Sequence, residues 1–264
     1  MIFCFSSTGN TAWAARTVQE KTGERLVWIH EAVREDSLNY VLNPDERIGL
    51  MFPVHGWRPP RIVREFCERL TVDGAESHYT YALVTAGDNI GETINILEDD
   101  LRARGITLHS AFSLIMPESY VGLPFMDVDK PEKEALKKRK AAEDLDRYLP
   151  MILERRKGER HLVVGHWPRI NSRLIGAFFI KRLITDWPFR VDWRKCTRCG
   201  TCARVCPVSD IIQLGEDLPL WVHNDRCLTC FACYHHCPVK AIDFGGRTRH
   251  KGQYYFEKKK QQGI

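Results

Sequence analysis

Eight of the ten cysteines in this 264-residue chain fall into two copies of one spacing, and this repeat constrains the fold more than any other feature. The copies read CTRCGTCARVCP from residue 196 and CLTCFACYHHCP from residue 227, and each is C-x2-C-x2-C-x3-C-P. Disulfides are unfavourable between cysteines this close, and nothing in the sequence suggests secretion. Structural zinc is an alternative, but zinc usually takes two separated pairs of ligands and has no use for a third cysteine. Three close thiolates with a distant fourth favour an iron–sulfur cubane.

Residues from about 190 to 245 resemble a two-cluster bacterial ferredoxin. The resemblance implies two [4Fe-4S] clusters, with the last cysteine of each motif crossing to the other cluster. One cluster would then be bound by Cys196, Cys199, Cys202 and Cys237, and the other by Cys227, Cys230, Cys233 and Cys206. Pro207 and Pro238 follow the two crossing cysteines, as they do in that family.

Two histidines and two further cysteines are the other potential metal ligands, and we expect none of the four to bind a cluster. His235 and His236 lie inside the second motif, but both cysteine sets are already complete, so we expect imidazoles that face solvent or lie behind the ligands. Cys4 falls in an apolar run and Cys67 in a helical pattern with apolar spacing. We expect both to be small buried hydrophobic residues rather than reactive thiols.

The amino-terminal half alternates apolar runs with amphipathic helical patterns. The segments MIFCF, RLVWIH, RIGLMFPV, YTYALVTA and ITLHSAFSLIMP predict five strands, and NTAWAARTVQEKTG, PRIVREFCERL and GETINILEDDLRARG predict helices between them. Continuous apolar strands of this kind are typical of a parallel sheet covered on both faces. We therefore predict an α/β fold, a flavodoxin-like doubly wound five-stranded parallel sheet, followed by a small α+β two-cluster ferredoxin domain.

In a doubly wound sheet, ligands bind at the carboxyl ends of the strands, so the loops that follow the strands are the candidate site. The candidate residues are Ser6, Ser7, Thr8, Gly9, Asn10 and Thr11 after the first strand, Pro53, Val54, His55, Gly56 and Trp57 after the third, and Thr85, Ala86, Gly87, Asp88 and Gly91 after the fourth. The first loop offers hydroxyls and amides at a helix start, which suits a phosphate monoester. It lacks the lysine of a Walker loop and the G-x-G-x-x-G of a dinucleotide fold.

These three loops resemble the phosphate loop and the two isoalloxazine-flanking loops of flavodoxins, which implies bound flavin mononucleotide (FMN). Trp57 would then pack on or beside the isoalloxazine, and Tyr120 either serves as a second aromatic or packs in the core. Two structural alternatives remain open. The hydroxyl-rich turn could be a simple helix cap, and Trp57 could be a core or interface residue.

Charge divides the chain, because residues 1–128 carry a net charge of −7 and residues 129–264 a net charge of +12. The basic excess lacks the interleaved aromatics of a nucleic-acid surface, so we expect no nucleic-acid partner. We favour a solvated helix face with a disordered tail, and the alternative is a surface that docks acidic redox partner proteins. Residues 159–187 predict a linker with an amphipathic helix, which we expect to pack across two domains rather than to lie on a membrane. Without a targeting segment or an apolar run of about 20 residues, we expect a soluble cytoplasmic protein with no transmembrane segment.

Nearly the whole chain is similar to the flavodoxin–ferredoxin fusion proteins, or EFR-family ferredoxins, and its FGGRTRHKGQYY segment is similar to their carboxyl end. The expected domains are 1–158 for FMN, 159–187 as linker, 188–248 for the clusters and 249–264 as a basic tail. The resemblance implies a low-potential electron carrier of oxidoreductase type. Two alternatives remain: an FMN-dependent reductase of a small substrate, with His55 or Asp88 near the flavin, and a ferredoxin whose flavodoxin-like domain is an empty docking module.

Overall fold

A parallel sheet organises the amino-terminal part of the chain. The computed structural model describes residues 1–257, so residues 258–264 of the expected basic tail lie outside the described part. The strands are β1 (Ile2–Cys4), β2 (Leu26–Trp28), β3 (Asn39–Val41), β4 (Ile48–Pro53), β5 (Thr71–Asp73), β6 (Thr80–Ala86), β7 (Ser110–Ile115) and β8 (Arg160–His161). The helices are α1 (Asn10–Thr22), α2 (Ile29–Arg34), α3 (Arg61–Arg69), α4 (Thr93–Arg102) and α5 (Pro131–Leu153), with a 3-10 turn at Ala75–Ser77.

The sheet runs in the order β2-β1-β4-β6-β7-β8, and every pairing in it is parallel. The chain leaves β1 toward β2 on one side and later adds β4 on the other, which is the reversal that defines a doubly wound fold. The α/β fold class is therefore confirmed. The structure adds a sixth strand, β8, because α5 returns the chain to the edge of β7. It also adds a separate parallel pair, β3 and β5.

Local sequence explains where the first helix begins and ends. α1 starts after Gly9 and stops at Gly23, and both glycines have a positive φ, which glycine adopts without the steric cost that a side chain would bring. The Gly23 amide donates to the carbonyl of Gln19 and so closes the last turn. The apolar run RLVWIH is only partly a strand, because α2 begins at Ile29 and buries that side chain.

The sheet separates two apolar cores. One core lies under α2, α3 and α4 and contains Phe3, Leu50 and Cys67, all buried. The other lies under α1 and α5 and contains Cys4 and Leu145. Cys4 and Cys67 thus occupy the buried apolar positions that the sequence predicted, and burial raises the pKa of both thiols.

The cysteine-rich part is built from two related units. Its elements are β9 (Phe189–Val191), α7 (Thr201–Arg204), β10 (Ile211–Ile212), β11 (Leu220–Trp221), α8 (Ala232–His235) and β12 (Ile242–Phe244). β9 pairs antiparallel with β12 and β10 with β11, so each unit completes the sheet of the other. α7 and α8 lie inside the two motifs, begin at residues 201 and 232, and each contain the third cysteine of their motif.

A helical segment and the last described residues connect the two parts. The segment is a π-helical turn at Ile170–Ile175 that continues as α6 (Gly176–Arg182), and we call residues 170–182 the covering helix. Among residues 1–257, no helix is long and apolar enough to cross a membrane.

The long helix α5 offers a matched test of the packing. Leu145 is 1% exposed beneath it and Leu136 is 54% exposed on its outer side. We expect Leu145→Ala to lower the free energy of unfolding by about 2–5 kcal/mol, because it leaves a cavity between α5 and the sheet. Leu136→Ala should change it by less than about 0.5 kcal/mol. Urea unfolding followed by circular dichroism measures both, and equal effects would contradict the packing of α5.

Candidate functional site

The first cysteine set surrounds one cavity in the ferredoxin-like part. Cys196, Cys199 and Cys202 from the first motif line it together with Cys237 from the second. This is the crossed set that the sequence resemblance implied. The fourth residue comes from the other unit because α7 and α8 pack side by side and bring the two motifs together.

The second set also lies together. Burial raises the pKa of the Cys233 thiol most, and the sulfurs of Cys230, Cys227 and Cys206, followed by Cys202 of the first set, raise it further, so the second set lies together and close to the first. Burial likewise raises the pKa of Cys230, to about 12. Such thiols become thiolates only when a cation compensates the charge, which is what ligation to iron provides. The donors therefore fit an iron–sulfur cluster.

Backbone geometry repeats between the two motifs with the same offset as the cysteines. Arg198 and Thr229 have positive φ values of 56° and 45°, and Gly200 and Phe231 have values of 72° and 58°. A left-handed conformation is uncommon for residues with a side chain and marks a constrained loop. These residues turn each loop inward, so that three successive cysteines face one point.

Hydrogen bonds to sulfur repeat as well. The Asp210 amide donates to Cys206 Sγ and the Ala241 amide to Cys237 Sγ, each at 3.2 Å. Such N–H···S contacts stabilise thiolate ligands and adjust the potential of a cluster. Among the described residues, no group of three or more His, Cys, Asp and Glu side chains could hold a single metal ion. That finding concerns a single ion and does not apply to a cubane cluster, because the four thiolates of a cubane bind four separate irons.

The two sets differ in exposure. Cys199 is exposed, and its contact of 3.3 Å with the Thr201 hydroxyl lowers its pKa. Cys233 is buried, and Cys230 faces the interior of the molecule rather than its outer surface. The first set thus has one thiol at the surface, although its Cys202 and Cys237 are buried, and the second set has Cys230 in the cavity between the two parts of the chain.

A larger cavity of ≈ 620 Å³ lies where the two parts meet. Fourteen of the sixteen candidate loop residues line it: Ser6, Ser7, Thr8, Asn10, Thr11, Pro53, Val54, His55, Gly56, Trp57, Thr85, Ala86, Gly87 and Asp88. Gly9 and Gly91 do not line it. A side chain on Gly9 would meet Phe256, and one on Gly91 would meet Ser172 and Trp57, so both glycines permit close packing behind the wall.

The opening loop presents unpaired donors to this cavity. No described residue accepts a hydrogen bond from the backbone amides of residues 6–11. These amides precede or begin α1, where the helix dipole adds a partial positive charge. Thr11 and Thr85 share a hydrogen bond of 2.7 Å, and the Asn10 amide group donates to the carbonyl of Pro117 at 3.0 Å. The loop is thus fixed by its side chains and leaves its amides for an anion, which fits a phosphate.

The second loop is a tight turn. His55 and Arg58 exchange backbone hydrogen bonds, and Gly56 and Trp57 between them both have positive φ, as a type I′ turn requires. Trp57 lies in the cavity wall and also touches Gly91 behind it. Trp57 is therefore packed against a neighbouring loop and also lines the cavity. Its packing on a flavin stays a prediction.

His55 is held as a neutral side chain. Its ring lies in the cavity wall, in edge contact with Phe5 at 6.3 Å between centroids. Burial lowers the pKa of His55 to about 4.

The loop after β7 forms part of the wall, and Tyr120 is the only one of its residues that the sequence predicted as a candidate. Glu118 lines the cavity, and its Oε1 accepts hydrogen bonds from the amides of Ser119 and Tyr120. Its carboxylate lies directly against Gly87, where any side chain would clash. Burial raises the pKa of Glu118. The signal was present, since this loop also follows a strand of the sheet.

The remaining wall comes from distant segments. It consists of Asn89, Pro117, Ser119, Leu123, Phe125, Met126, Ile175, Phe178, Phe179, Leu183, Ile184, Leu228, Thr229 and Cys230. Tyr120 stands between the two parts, in edge contact with Phe179 of the covering helix and Phe231 of the second cysteine motif, each at 5.4 Å. Tyr120 therefore joins three elements of the wall.

Residues 252–256 form a strap from the cysteine-rich part to the opening loop. The Tyr254 hydroxyl donates to Asn10 Oδ1 at 2.6 Å, and the Phe256 amide donates to the carbonyl of Thr8 at 2.8 Å. The Phe256 ring stacks on Trp13 of α1. The strap holds the opening loop from behind.

His235 is buried, not solvent-facing. Its Nδ1 accepts from the Tyr254 amide at 3.1 Å, so its Nε2 is the nitrogen that donates to the Ser119 carbonyl at 2.7 Å. The imidazole links α8 to the cavity wall. His236, half-buried, stacks on Tyr255 at 4.5 Å between ring centroids.

The pKa of His55 leads to a titration experiment. We expect a midpoint near pH 4, so that the ring is neutral at pH 7. Because the folded pKa lies below the ordinary value, the native state should lose stability as the pH falls below about 6.5. NMR of labelled histidines measures the midpoint, and the signal missing in His55→Gln identifies the residue. A midpoint at or above pH 6 would contradict the burial of the ring.

Comparison with known proteins recognises the cysteine-rich part. Residues 189–254 match the family model of the 4Fe-4S dicluster domain. No curated protein matches the chain. Two solved structures resemble it: a flavoprotein candidate from Bacteroides uniformis ATCC 8492, at 20% identity over 43% of this chain and 88% of that one with a TM-score of 0.32, and the rubredoxin oxygen:oxidoreductase of the anaerobe Desulfovibrio gigas, at 16% identity over 58% and 36% with a TM-score of 0.30. The chain contains a 4Fe-4S dicluster ferredoxin domain at residues 189–254.

Proposed function

We propose that the protein transfers electrons at low potential between two [4Fe-4S] clusters and an FMN bound in the large cavity. One observation carries the proposal: Cys230 of the second motif and the phosphate-type opening loop line the same cavity. The Ser7 hydroxyl lies close enough to the Cys230 sulfur to lower its pKa against the larger effect of burial. A cofactor on the loop would therefore be next to a cluster on Cys230.

Each cluster would be held by the crossed set described above. Cys196, Cys199, Cys202 and Cys237 bind the first, and Cys227, Cys230, Cys233 and Cys206 bind the second. Eight reduced thiols suit a reducing compartment, which favours the cytoplasm. When bound, each cluster accepts or donates one electron, and FMN accepts or donates one or two.

The chain's own residues have distinct roles toward the flavin. The amides of residues 6–11 bind the phosphate, because they are unpaired and lie at the positive end of α1. Trp57 and Tyr120 provide aromatic surfaces in the wall. The neutral ring of His55 and the apolar residues of the covering helix exclude water from the cavity.

The exposed edge of the first cluster is the proposed docking point for a redox partner. Arg204 donates to the carbonyl of Cys199 at 2.9 Å, and the neighbouring Arg198 is exposed. These cations would attract an acidic protein surface and increase the rate of encounter. Glu216 and Asp217, in the turn between β10 and β11, restrict the basic surface on that side.

We assign the chain to the flavodoxin–ferredoxin fusion family, with residues 1–158, 159–187, 188–248 and 249–264 as its four parts. The matched 4Fe-4S dicluster domain supports the third part, and the doubly wound sheet supports the first.

Composition is the direct test of the cofactors. Protein purified without oxygen should contain about eight irons and eight sulfides per chain together with one FMN. Cys206→Ser and Cys237→Ser should each reduce the iron content, because each serine removes a ligand from one cluster. Cys67→Ala serves as the control and should retain all the iron, since Cys67 is buried in the sheet core. Eight irons without flavin, even after added FMN, would contradict FMN binding and also exclude the reductase alternative.

The strap predicts a second result. Tyr254→Phe removes the hydrogen bond to Asn10 and leaves the opening loop less firmly held. We expect FMN to bind about threefold to tenfold more weakly, which corresponds to the loss of one buried hydrogen bond. Tyr40→Phe is the matched control, because its hydroxyl donates to Ser37 far from the loop. Fluorescence titration of the flavin measures both affinities, and equal affinities would contradict a role for the strap.

A further inference from the structure

The covering helix and the residues just before it expose an unusual number of large apolar side chains. Seven of the seventeen exposed large hydrophobic residues among residues 1–257 lie between residues 163 and 178: Val163, Val164, Trp167, Ile170, Leu174, Ile175 and Phe178. Single exposed apolar residues are ordinary, whereas a contiguous set marks a surface that binds something.

The helix is fixed with these side chains outward. On its inner side, the buried Ser172 accepts a hydrogen bond from the Glu92 amide at 2.8 Å, and its carbonyl accepts one from Arg58 at 3.0 Å. Gly176 lies against the carbonyl of Gly56, where any side chain would clash. The apolar outer face cannot turn inward without breaking these contacts.

The outer face forms a stripe. Ile170, Leu174 and Phe178 follow one another at four-residue intervals and are 48%, 68% and 61% exposed. Trp167, 76% exposed, precedes the helix with a positive φ of 50°, so it adds an exposed aromatic side chain before the stripe without belonging to its helical spacing. A spacing of four residues keeps side chains on one side of a helix.

The segment that carries the stripe is basic. Residues 161–185 contain no Asp or Glu and four cations, Arg169, Arg173, Lys181 and Arg182. Glu92 pairs with Arg169 at 3.6 Å and with Arg173 at 2.5 Å. Lys181 and Arg182 have no carboxylate partner within residues 1–257, so their charge is available to an external anion.

We propose that the stripe binds the surface of an anionic lipid membrane, with Trp167, Leu174 and Phe178 inserted among the acyl chains and Lys181 and Arg182 at the headgroups. A helix with Phe and Leu on one face, a Trp just before its start, and Lys and Arg but no acid in its own sequence has the composition of interfacial helices. Lys181 and Arg182, which no described carboxylate pairs, complement negatively charged headgroups. The sequence had favoured packing across two domains, and the structure shows that only the inner face packs.

The exposed apolar surface continues into the wall of the large cavity. Ile175 and Phe178 belong to the exposed set and line the cavity, and Phe125, 83% exposed, lines it too. A protein bound through the stripe would therefore have this side of the cavity close to the acyl chains. The inference does not rest on bound FMN or on cluster content.

Vesicle flotation with the full chain tests the proposal. We expect binding to vesicles of phosphatidylcholine with phosphatidylglycerol and much weaker binding to phosphatidylcholine alone. The double variant Ile170→Gln with Leu174→Gln should weaken binding by about tenfold or more, because two large apolar side chains no longer enter the bilayer. Neither residue lines the cavity. Leu214→Gln is the matched control, because Leu214 is 73% exposed in the ferredoxin domain.

Two further variants separate the sources of charge. Lys181→Gln with Arg182→Gln should weaken binding to anionic vesicles about tenfold or more. Changing Lys258, Lys259 and Lys260 to Gln should leave most of the binding intact, which shows that the basic end of the chain is not its origin. Circular dichroism confirms that each variant is folded.

Three results would overturn the proposal. The full chain could fail to float with anionic vesicles, or Ile170→Gln with Leu174→Gln could bind as well as the parent. Alternatively, the parent could ignore vesicles and form a dimer that this same double variant abolishes, which would assign the stripe to a second copy of the chain.

Discussion

A chain of buried hydrogen bonds joins the two parts of the molecule, and the cavity between them depends on it. The Tyr254 hydroxyl donates to Asn10, the Tyr254 amide donates to His235, and His235 donates to the carbonyl of Ser119. A buried polar group without a partner costs about 1–3 kcal/mol, so separating the parts would leave several groups unpaired. This cost favours one arrangement, in which the opening loop, the loop after β7 and α8 surround a common space.

The two cysteine loops hold several residues in unfavourable backbone conformations. Arg198, Thr229, Phe231, Ser209 and Lys240 all have positive φ, and each costs about 1–3 kcal/mol in a chain free to relax. Their positions repeat between the two motifs, so the strain arises from the backbone conformation that both loops share and not from one residue. Ligation by a cluster would offset it, because the same turns direct the sulfurs to one point. On this account, the ferredoxin domain depends on its metal for its fold as well as for its chemistry.

The sequence predicted features that depend on local chemistry. The end of α1 at Gly23 follows from the conformational freedom of glycine. The crossed set around the first cavity was implied by the cysteine resemblance, and the structure brings the same four residues together. The loop residues in the cavity wall were predictable because parallel strands end at one edge.

Features set by distant contacts were not predictable. β8 has only two residues and exists because α5 returns the chain to β7, so no periodicity could mark it. Glu118 becomes a wall residue only because Gly87 leaves room for its carboxylate. The covering helix was recognised as amphipathic, yet both of its faces carry apolar residues, and periodicity alone could not say which face packs.

The exposed position of Cys199 and the cavity position of Cys230 give the proposed electron path a direction. A partner can approach Cys199 at the surface, whereas Cys233 is buried and Cys230 faces the cavity. Under the proposed ligation, the first cluster exchanges electrons with the outside and the second with the cofactor in the cavity. Phe231 and Tyr120 fill the space beside the second set and keep water from it. Because α7 and α8 pack together, two clusters bound by the crossed cysteines would be held at a fixed separation. Transfer between them would then require no docking step, and only the outer exchange would depend on a partner.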